Sequence, residues 1–129
     1  MGYIITGKVV PGNRIGREIG FPTANVFLRD RDPVEDGVWA GTVTVGETVY
    51  PAMINIGRNP TVDKNMHRRL EAHLFGFEGD LYGETIEAEL LEFIRPEQKF
   101  GSLDELKEKI ADDKTVIETF LRDNGLKTD

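Results

Sequence analysis

The sequence predicts a mainly β fold, an antiparallel sheet or small barrel, followed by one helical segment. Stretches rich in β-branched and aromatic residues recur up to residue 94, and Gly/Pro turns separate them. Helical periodicity with a capping signal comes only after residue 101. Because strands do not alternate with helices, a βαβ nucleotide-binding pattern is excluded.

The first predicted strand covers residues 3–10 and ends at a turn formed by residues 11–13. A second Gly/Pro turn leads into the short apolar piece 26–28, which we interpret as the next strand. The charged stretch 29–33 follows and is typical of a solvent-exposed loop.

Residues 38–45 and 48–56 alternate apolar residues with small or polar ones. Gly46-Glu47 between them predicts a two-residue type II′ turn and hence a β-hairpin. Pro51 in the second arm indicates an edge or bulge position, since proline has no N–H to donate to a ladder. Residues 55–61 are predicted to form another Gly/Pro-punctuated loop.

Residues 62–69 are polar and basic without periodicity, which is typical of a mobile flap. The strand 70–75 has period two, so its faces differ. One face carries Leu70, Ala72 and Leu74, and the other carries Glu71, His73 and Phe75. Residues 77–83 predict a turn, and residues 85–94 predict the last strand.

Ser102 and Glu105 have the spacing of a capping box and predict the start of a helix. Its apolar stripe consists of Leu103, Leu106, Ile110, Val116, Ile117, Phe120 and Leu121. Asp112 or Asp113 is a candidate restart point within this segment, and Gly125 ends it.

The composition is that of one globular domain: 129 residues, 39% hydrophobic and 30% charged. The chain contains no cysteine, which excludes disulfides and thiolate chemistry and fits a cytoplasmic protein. It has no apolar run long enough for a membrane span. The net charge of −7 argues against nucleic-acid binding, including a barrel that binds single strands.

The charge is unevenly distributed along the chain. Residues 1–29 contain one acidic residue, Glu18, and four basic ones: Lys8, Arg14, Arg17 and Arg29. A locally basic segment in an acidic protein suits a compact polyanion such as a nucleotide. Recurrent glycines beside these basic residues suggest backbone N–H groups arranged around phosphates.

The segment 16–25 combines these features with two candidate ligands. Two glycines and Pro22 restrict and shape the backbone, and an extended chain would then aim Thr23 and Asn25 to one side. A hydroxyl and an amide oxygen are neutral, hard ligands for Mg²⁺ or for phosphate oxygens. A turn that leads into a strand remains the alternative interpretation.

Five short motifs occur in order along the chain. They are Gly-x-Pro-Thr-Ala-Asn (20–25), Asn-x-Gly-x-Asn-Pro-Thr (55–61), Glu-x-His-Leu-Phe (71–75), Asp-Leu-Tyr-Gly (80–83) and Arg-Pro-Glu-x-x-Phe (95–100). Together they resemble the riboflavin kinases, including the kinase module of bacterial bifunctional FAD synthetases. The resemblance implies a single domain over residues 1–129, with a six-stranded Greek-key barrel over about 3–97 and a helical segment over about 102–124.

The resemblance also implies an activity, transfer of the ATP γ-phosphate to the 5′-hydroxyl of riboflavin, which gives FMN and ADP with Mg²⁺. In this interpretation Glu71 is the catalytic base, and Thr23 and Asn25 bind the metal. The expected ATP contacts are Gly7, Lys8, Gly12, Gly16, Arg17, Gly20, Pro22, Thr23, Asn25, Asn55 and Tyr82. The expected flavin contacts are Glu71, Asp80, Arg95 and Phe100.

Two alternatives remain open at this point. The chain could be a flavin- or nucleotide-binding barrel without catalysis, although binding alone would not require Glu71. It could also be either a stand-alone enzyme or the excised kinase module of a bifunctional protein. We expect a monomer whose partners are riboflavin, FMN, ATP and ADP, with neither nucleic acid nor membrane among them.

Overall fold

In this computed structural model, the structure is described for residues 2–12, 20–29, 32–58 and 67–126. These residues form six strands and a helix. The strands are β1 (Tyr3–Lys8), β2 (Ala24–Phe27), β3 (Gly37–Val45), β4 (Thr48–Arg58), β5 (Arg68–Leu74) and β6 (Thr85–Arg95), and the helix is α1 (Leu103–Asp123). No helix within the described residues is long and apolar enough to cross a membrane.

The strands form one antiparallel sheet in the order β1-β6-β3-β4-β5-β2. Strands β3, β4 and β5 follow one another, and β6 returns beside β3, which is Greek-key connectivity. The sheet curls so that its two ends meet at an isolated bridge, where the Val10 N–H donates to the Asn25 carbonyl at 2.8 Å. The predicted barrel is therefore confirmed, and it is nearly closed.

The barrel interior is apolar because every strand sends alternate side chains inward. Its most completely buried large residues are Ile54, Ile56, Leu70, Ile86, Leu90 and Val43. Fully burying one Leu or Ile side chain contributes about 1.5–3 kcal/mol, so this interior supplies the main stabilisation of the barrel.

Helix α1 packs on the outside of the barrel. Ile117 and Leu121 are fully buried against a second apolar cluster that includes Val38 and Met53. Ser102 caps the helix, since its hydroxyl accepts from the Glu105 N–H at 3.1 Å. The Glu105 carboxylate accepts from the Gly101 N–H rather than from that of Ser102, so the predicted box is formed one residue further out.

The helix is continuous, so the predicted restart at Asp112 or Asp113 is wrong. Asp113 is buried, and its charge is compensated by an ion pair with Arg95, whose Nη2 lies 2.7 Å from the carboxylate. Leu103 and Val116 are about half exposed, each at 52%, and thus do not belong to the buried stripe. Gly125 follows the last turn at a φ of 89°, as the predicted stop requires.

The hairpin of β3 and β4 is confirmed, with Val45 paired to Thr48 and Gly46 at a φ of 60°. Strand β4 lies between β3 and β5, so the expectation that Pro51 marks an edge strand is wrong for the strand as a whole. Proline is tolerated there because the ladder between β4 and β5 ends at the pair Ala52–Leu74.

Some boundaries also differ from the predictions. Strand β1 ends at Lys8, β2 starts at Ala24, and residues 55–58 belong to β4 rather than to a loop. The rest of that predicted loop and most of the predicted flap lie outside the described residues. Residues 67–69 are the exceptions: His67 is exposed, and Arg68 and Arg69 start β5 and are buried.

Arg68 is buried, and its guanidinium holds the connection between β2 and β3. Its guanidinium donates to the carbonyl of Val34 at 2.6 Å and to the Asp36 carboxylate at 2.8 Å. Asp32 is also buried and accepts from the Tyr3 hydroxyl at 2.7 Å, so the expectation of a fully solvent-exposed loop is wrong at this residue.

Candidate active site

Three polar side chains form a row on the side of the sheet that faces away from the barrel interior. Asn25 of β2 is directly opposite Glu71 of β5, and Glu71 is directly opposite Asn55 of β4. Side chains of directly opposed residues lie on the same face of a sheet, about 4.5–5.5 Å apart at Cβ. Two predicted ligand or ATP-binding residues and the predicted base are therefore neighbours.

The surroundings of Glu71 raise the pKa of its carboxyl. Burial raises the pKa of its carboxyl above the ordinary 4.5, and the nearby Glu97 carboxylate acts in the same direction. A hydrogen bond from Asn55 and the charge of Arg69 oppose this effect on the pKa. A carboxylate with a raised pKa is a stronger base than an exposed one, which is the property expected of a general base.

Glu97 is a site residue that sequence reasoning did not identify. Its carboxylate lies over the backbone of Gly57, where a Cβ would come within 2.8 Å of Oε1. Burial raises the pKa of Glu97, while the hydrogen bond from Asn55 lowers it. Asn55 thus contacts two carboxylates, and the Arg-Pro-Glu-x-x-Phe motif was the signal that could have pointed to the second one.

A cavity of about 220 Å³ opens beside Glu71, between the sheet, the loop that follows β6 and helix α1. Its lining is mostly apolar, with a few polar groups. The lining residues are Phe21, Thr23, Val38, Met53, Asn55, Glu71, His73, Arg95, Glu97, Gln98, Phe100, Leu106, Ile110 and Asp113. The cavity brings together Glu71, Arg95 and Phe100, three of the four predicted flavin contacts.

The wall formed by Arg95 is rigidly held. Its guanidinium binds both oxygens of Asp113 and also donates to the Pro96 carbonyl at 3.0 Å. The same guanidinium lies 5.9 Å from the centre of the Phe100 ring. Asp113 was not predicted to contribute to the site, because its partner Arg95 lies on another element, 18 residues earlier in the chain.

Asn25 presents an oxygen without a partner. Its carboxamide is buried, its Nδ2 makes two long contacts of 3.4 Å with the carbonyl and hydroxyl of Thr23, and its Oδ1 has no hydrogen-bond partner among the described residues. The backbone of Gly12 packs directly on this carboxamide, and a Cβ there would lie 2.3 Å from Oδ1. Buried polar atoms are normally paired, so this oxygen is a candidate ligand atom, but Asn25 lines neither the cavity beside Glu71 nor the second one described below. A neutral oxygen beside a threonine hydroxyl fits Mg²⁺ or a bound phosphate.

A second cavity, of about 290 Å³, lies next to the first. Thr23 and His73 line both cavities, so they form the boundary between them. Asp80 lines the second cavity, apart from the other predicted flavin contacts. Tyr82 is 62% exposed and belongs to neither lining, although its N–H donates to the Asp80 carboxylate at 2.9 Å.

The remaining predicted ATP contacts are only partly described. Gly7 packs against Val26, where a Cβ would come within 2.4 Å of Cγ1, and Lys8 is exposed at the end of β1. Gly20 has a φ of 91° and precedes Pro22, which lines the second cavity. The predicted contacts Gly16 and Arg17 lie outside the described residues.

His73 does not bind Glu71. Its Nδ1 lies 2.8 Å from the carbonyl oxygen of Pro22, and burial lowers its pKa, with the charge of Lys114 acting in the same direction. The imidazole is therefore neutral near pH 7 and connects β5 to the turn that precedes β2.

Comparison with known proteins gives consistent results. The family model for flavokinase, described as riboflavin kinase, matches residues 1–121. A bifunctional riboflavin kinase/FMN adenylyltransferase of Escherichia coli K12 is 46% identical over 119 residues, which cover 92% of this chain and 38% of that protein. The RNA-binding riboflavin kinase RibR of Bacillus subtilis is 43% identical over 114 residues, which cover 88% of this chain and 49% of that protein.

A solved structure is also similar. The riboflavin kinase of Trypanosoma brucei superposes with a TM-score of 0.66 at 28% identity, covering 92% of this chain and 79% of that one. The chain spans less than half of the length of the two bacterial relatives.

Proposed function

Because this chain belongs to the flavokinase (riboflavin kinase) family, we propose that it transfers the γ-phosphate of ATP to the 5′-hydroxyl of riboflavin. The products are FMN and ADP. The adenylyltransferase activity in the names of longer relatives is not proposed for these residues.

One observation carries the proposal: the row formed by Asn25, Glu71 and Asn55 beside an apolar cavity. In this row a carboxyl of raised pKa is a neighbour of an unpartnered buried amide oxygen, which supports Glu71 as the base and Asn25 as a ligand. Phosphoryl transfer to an alcohol needs a proton acceptor for the hydroxyl and ligands for the phosphate charge, and this row offers both.

We assign the two cavities to the two substrates. The first has apolar and aromatic walls with a few polar groups, which suits a flat tricyclic ring. The second is lined by Val9, which follows β1, and by Pro22, and it is assigned to the nucleotide. Asp80 lines this second cavity, so a contact between Asp80 and the flavin ring is not part of the proposal.

Thr23 and Asn25 would hold Mg²⁺ through the threonine hydroxyl and the unpartnered Asn25 Oδ1. When bound, the metal neutralises charge on the phosphates of ATP. Few protein ligands suffice for Mg²⁺, because it keeps several waters and binds substrate phosphates.

The chemistry of the protein residues follows from this arrangement. Glu71 accepts the proton of the 5′-hydroxyl while the hydroxyl oxygen forms its bond to the γ-phosphorus. The bond from that phosphorus to the oxygen it shares with the β-phosphate breaks, and ADP leaves with the electron pair. Positioned general bases contribute about 10²–10⁴-fold to the rate. Substrate orientation by the rigid Arg95 and Phe100 wall adds to this.

The test is to incubate the protein with riboflavin, ATP and Mg²⁺ and to follow FMN by chromatography. We expect FMN to form only when all three are present. Riboflavin binding without FMN would instead indicate a non-catalytic flavin-binding barrel, and neither binding nor product would overturn the proposal.

A further inference from the structure

His73 lies at the boundary between the two cavities and is held on three sides. Its Nδ1 lies 2.8 Å from the Pro22 carbonyl oxygen. The edges of two aromatic rings flank the imidazole, with centroid distances of 5.5 Å to Phe21 and 5.6 Å to Phe75. These contacts support the observed orientation of the ring.

The hydrogen bond also defines the tautomer. A carbonyl oxygen can only accept, so Nδ1 carries the hydrogen and donates it to Pro22. In the neutral ring, Nε2 is then an acceptor without a proton.

The bond acts on the backbone that leads into β2. The ladder between β2 and β5 begins at the pair Ala24–Ala72, so the Pro22–Thr23 peptide precedes it. That peptide is planar, and the Pro22 carbonyl and the Thr23 N–H therefore turn together. The His73 side chain therefore links β5 to the Pro22 carbonyl, at a position where the backbone hydrogen bonds between β2 and β5 have not yet begun.

We propose that His73 is a positioning residue that holds the Pro22–Thr23 peptide through its Nδ1–H, so that the Thr23 hydroxyl faces the boundary of both cavities. The inference rests on the proposed kinase function, in which Thr23 contacts metal and phosphate. His73 contacts Pro22 and lines both cavities. These contacts give His73 the role of positioning Thr23 rather than that of transferring a proton.

The experiment compares His73→Asn with His73→Gln. The asparagine amide nitrogen takes the approximate position of Nδ1, and the glutamine amide nitrogen takes that of Nε2. We expect His73→Gln to lower kcat/KM for Mg-ATP about tenfold, through both a lower kcat and a higher KM, because one neutral hydrogen bond is lost. His73→Asn should recover most of both parameters.

A second readout does not depend on activity. Hydrogen exchange at the Thr23 and Ala24 amides should become faster in His73→Gln and stay close to wild type in His73→Asn. Equal losses in both variants, with unchanged exchange, would overturn the positioning role. If the wild-type protein makes no FMN, the proposed function fails, and the exchange comparison alone then decides whether His73 holds this peptide.

Discussion

The two faces of strand β5 differ in the polarity and in the surroundings of their side chains. Leu70, Ala72 and Leu74 point into the barrel, where they are buried among apolar neighbours. Glu71 and His73 point away from it and line the cavity beside helix α1. The inner face has no unpartnered polar atom among the described residues, and its Ala72 and Leu74 also line the second cavity. The outer face lies beside the two buried side-chain atoms without partners among the described residues, Asn25 Oδ1 and Arg69 Nε.

This difference separates stabilisation from function along one strand. Apolar burial stabilises the barrel in proportion to the area removed from water, whichever similar side chains supply it. Unpartnered buried polar atoms cost free energy in the absence of a ligand, and they recover it when a ligand binds. The outer face therefore has the properties of a polar binding surface. The inner face is mainly core, and it contributes only apolar contacts, from Ala72 and Leu74, to the second cavity.

The strongest test of this comparison is Glu71→Gln on the outer face. We expect kcat to fall about 10²–10⁴-fold, because the amide cannot accept the hydroxyl proton. Stability at pH 7 should not fall. The folded-state pKa of Glu71 is raised, so its ionisation above that pKa works against the folded state, and glutamine removes this cost. Rates of FMN formation and thermal unfolding measure the two effects.

The matched variant on the inner face is Leu70→Ala. It should lower the free energy of unfolding by about 2–5 kcal/mol, because it leaves a cavity among residues with no exposed surface. The kcat of the folded fraction should be retained. If Leu70→Ala reduced kcat as much as Glu71→Gln does, the separation between the two faces would be wrong.

A smaller effect is expected from Gly12→Ala, which places a methyl group against the Asn25 carboxamide. The new Cβ would come within 2.3 Å of Oδ1, so the amide must move. We expect the KM for Mg-ATP to rise about tenfold, equivalent to 1.4 kcal/mol, with little change for riboflavin.

Gly41→Ala is the control for this clash. Its Cβ would meet the Glu89 carbonyl at 2.1 Å, a similar conflict, but in β3 where it pairs with β6. It should lower stability without changing the KM for Mg-ATP. A rise in that KM in both variants would mean that loss of stability, not Asn25, is the cause.

The smallest effects concern pH. Glu71 must be ionised to accept a proton, so kcat should fall as the pH drops through its pKa, and burial moves this acidic limb to higher pH than for an ordinary glutamate. Asn55→Leu removes a hydrogen bond that lowers the pKa and should move the limb higher still. Glu97→Gln removes a charge that raises the pKa and should move the limb lower. Shifts in the same direction in both variants would contradict Glu71 as the titrating base.

Local patterns predicted the parts of the molecule that depend on neighbours in sequence. The alternation along residues 70–75 assigned Glu71 and Leu70 to opposite faces, and both placements agree with the structure. The turn at Gly46 and the cap at Ser102 were also predicted, because turns and caps are decided within a few residues.

The missed features depend on contacts between distant parts of the chain. Asp113 was interpreted as a candidate restart point of the helix, whereas its position is explained by its ion pair with Arg95. Arg69 resembled part of a loop, but it is buried with its guanidinium 4.7 Å from the centre of the Phe27 ring. The row that joins Asn25 to Glu71 depends on the pairing of β2 with β5, and period-two patterns do not contain that register.

The bridge between Val10 and Asn25 also has a thermodynamic consequence. Every other neighbouring pair of strands in the barrel is joined by a ladder. At the two ends of the sheet, the bridge that the described residues form runs from Val10, which lies two residues beyond β1, to Asn25 of β2. The line along which the barrel separates at least cost thus passes through Asn25. A nucleotide that binds only when this line is closed would stabilise the closed barrel by about 2.7 kcal/mol at a hundredfold excess over its Kd. Under the proposed function, nucleotide binding and closure of the barrel wall are then thermodynamically coupled.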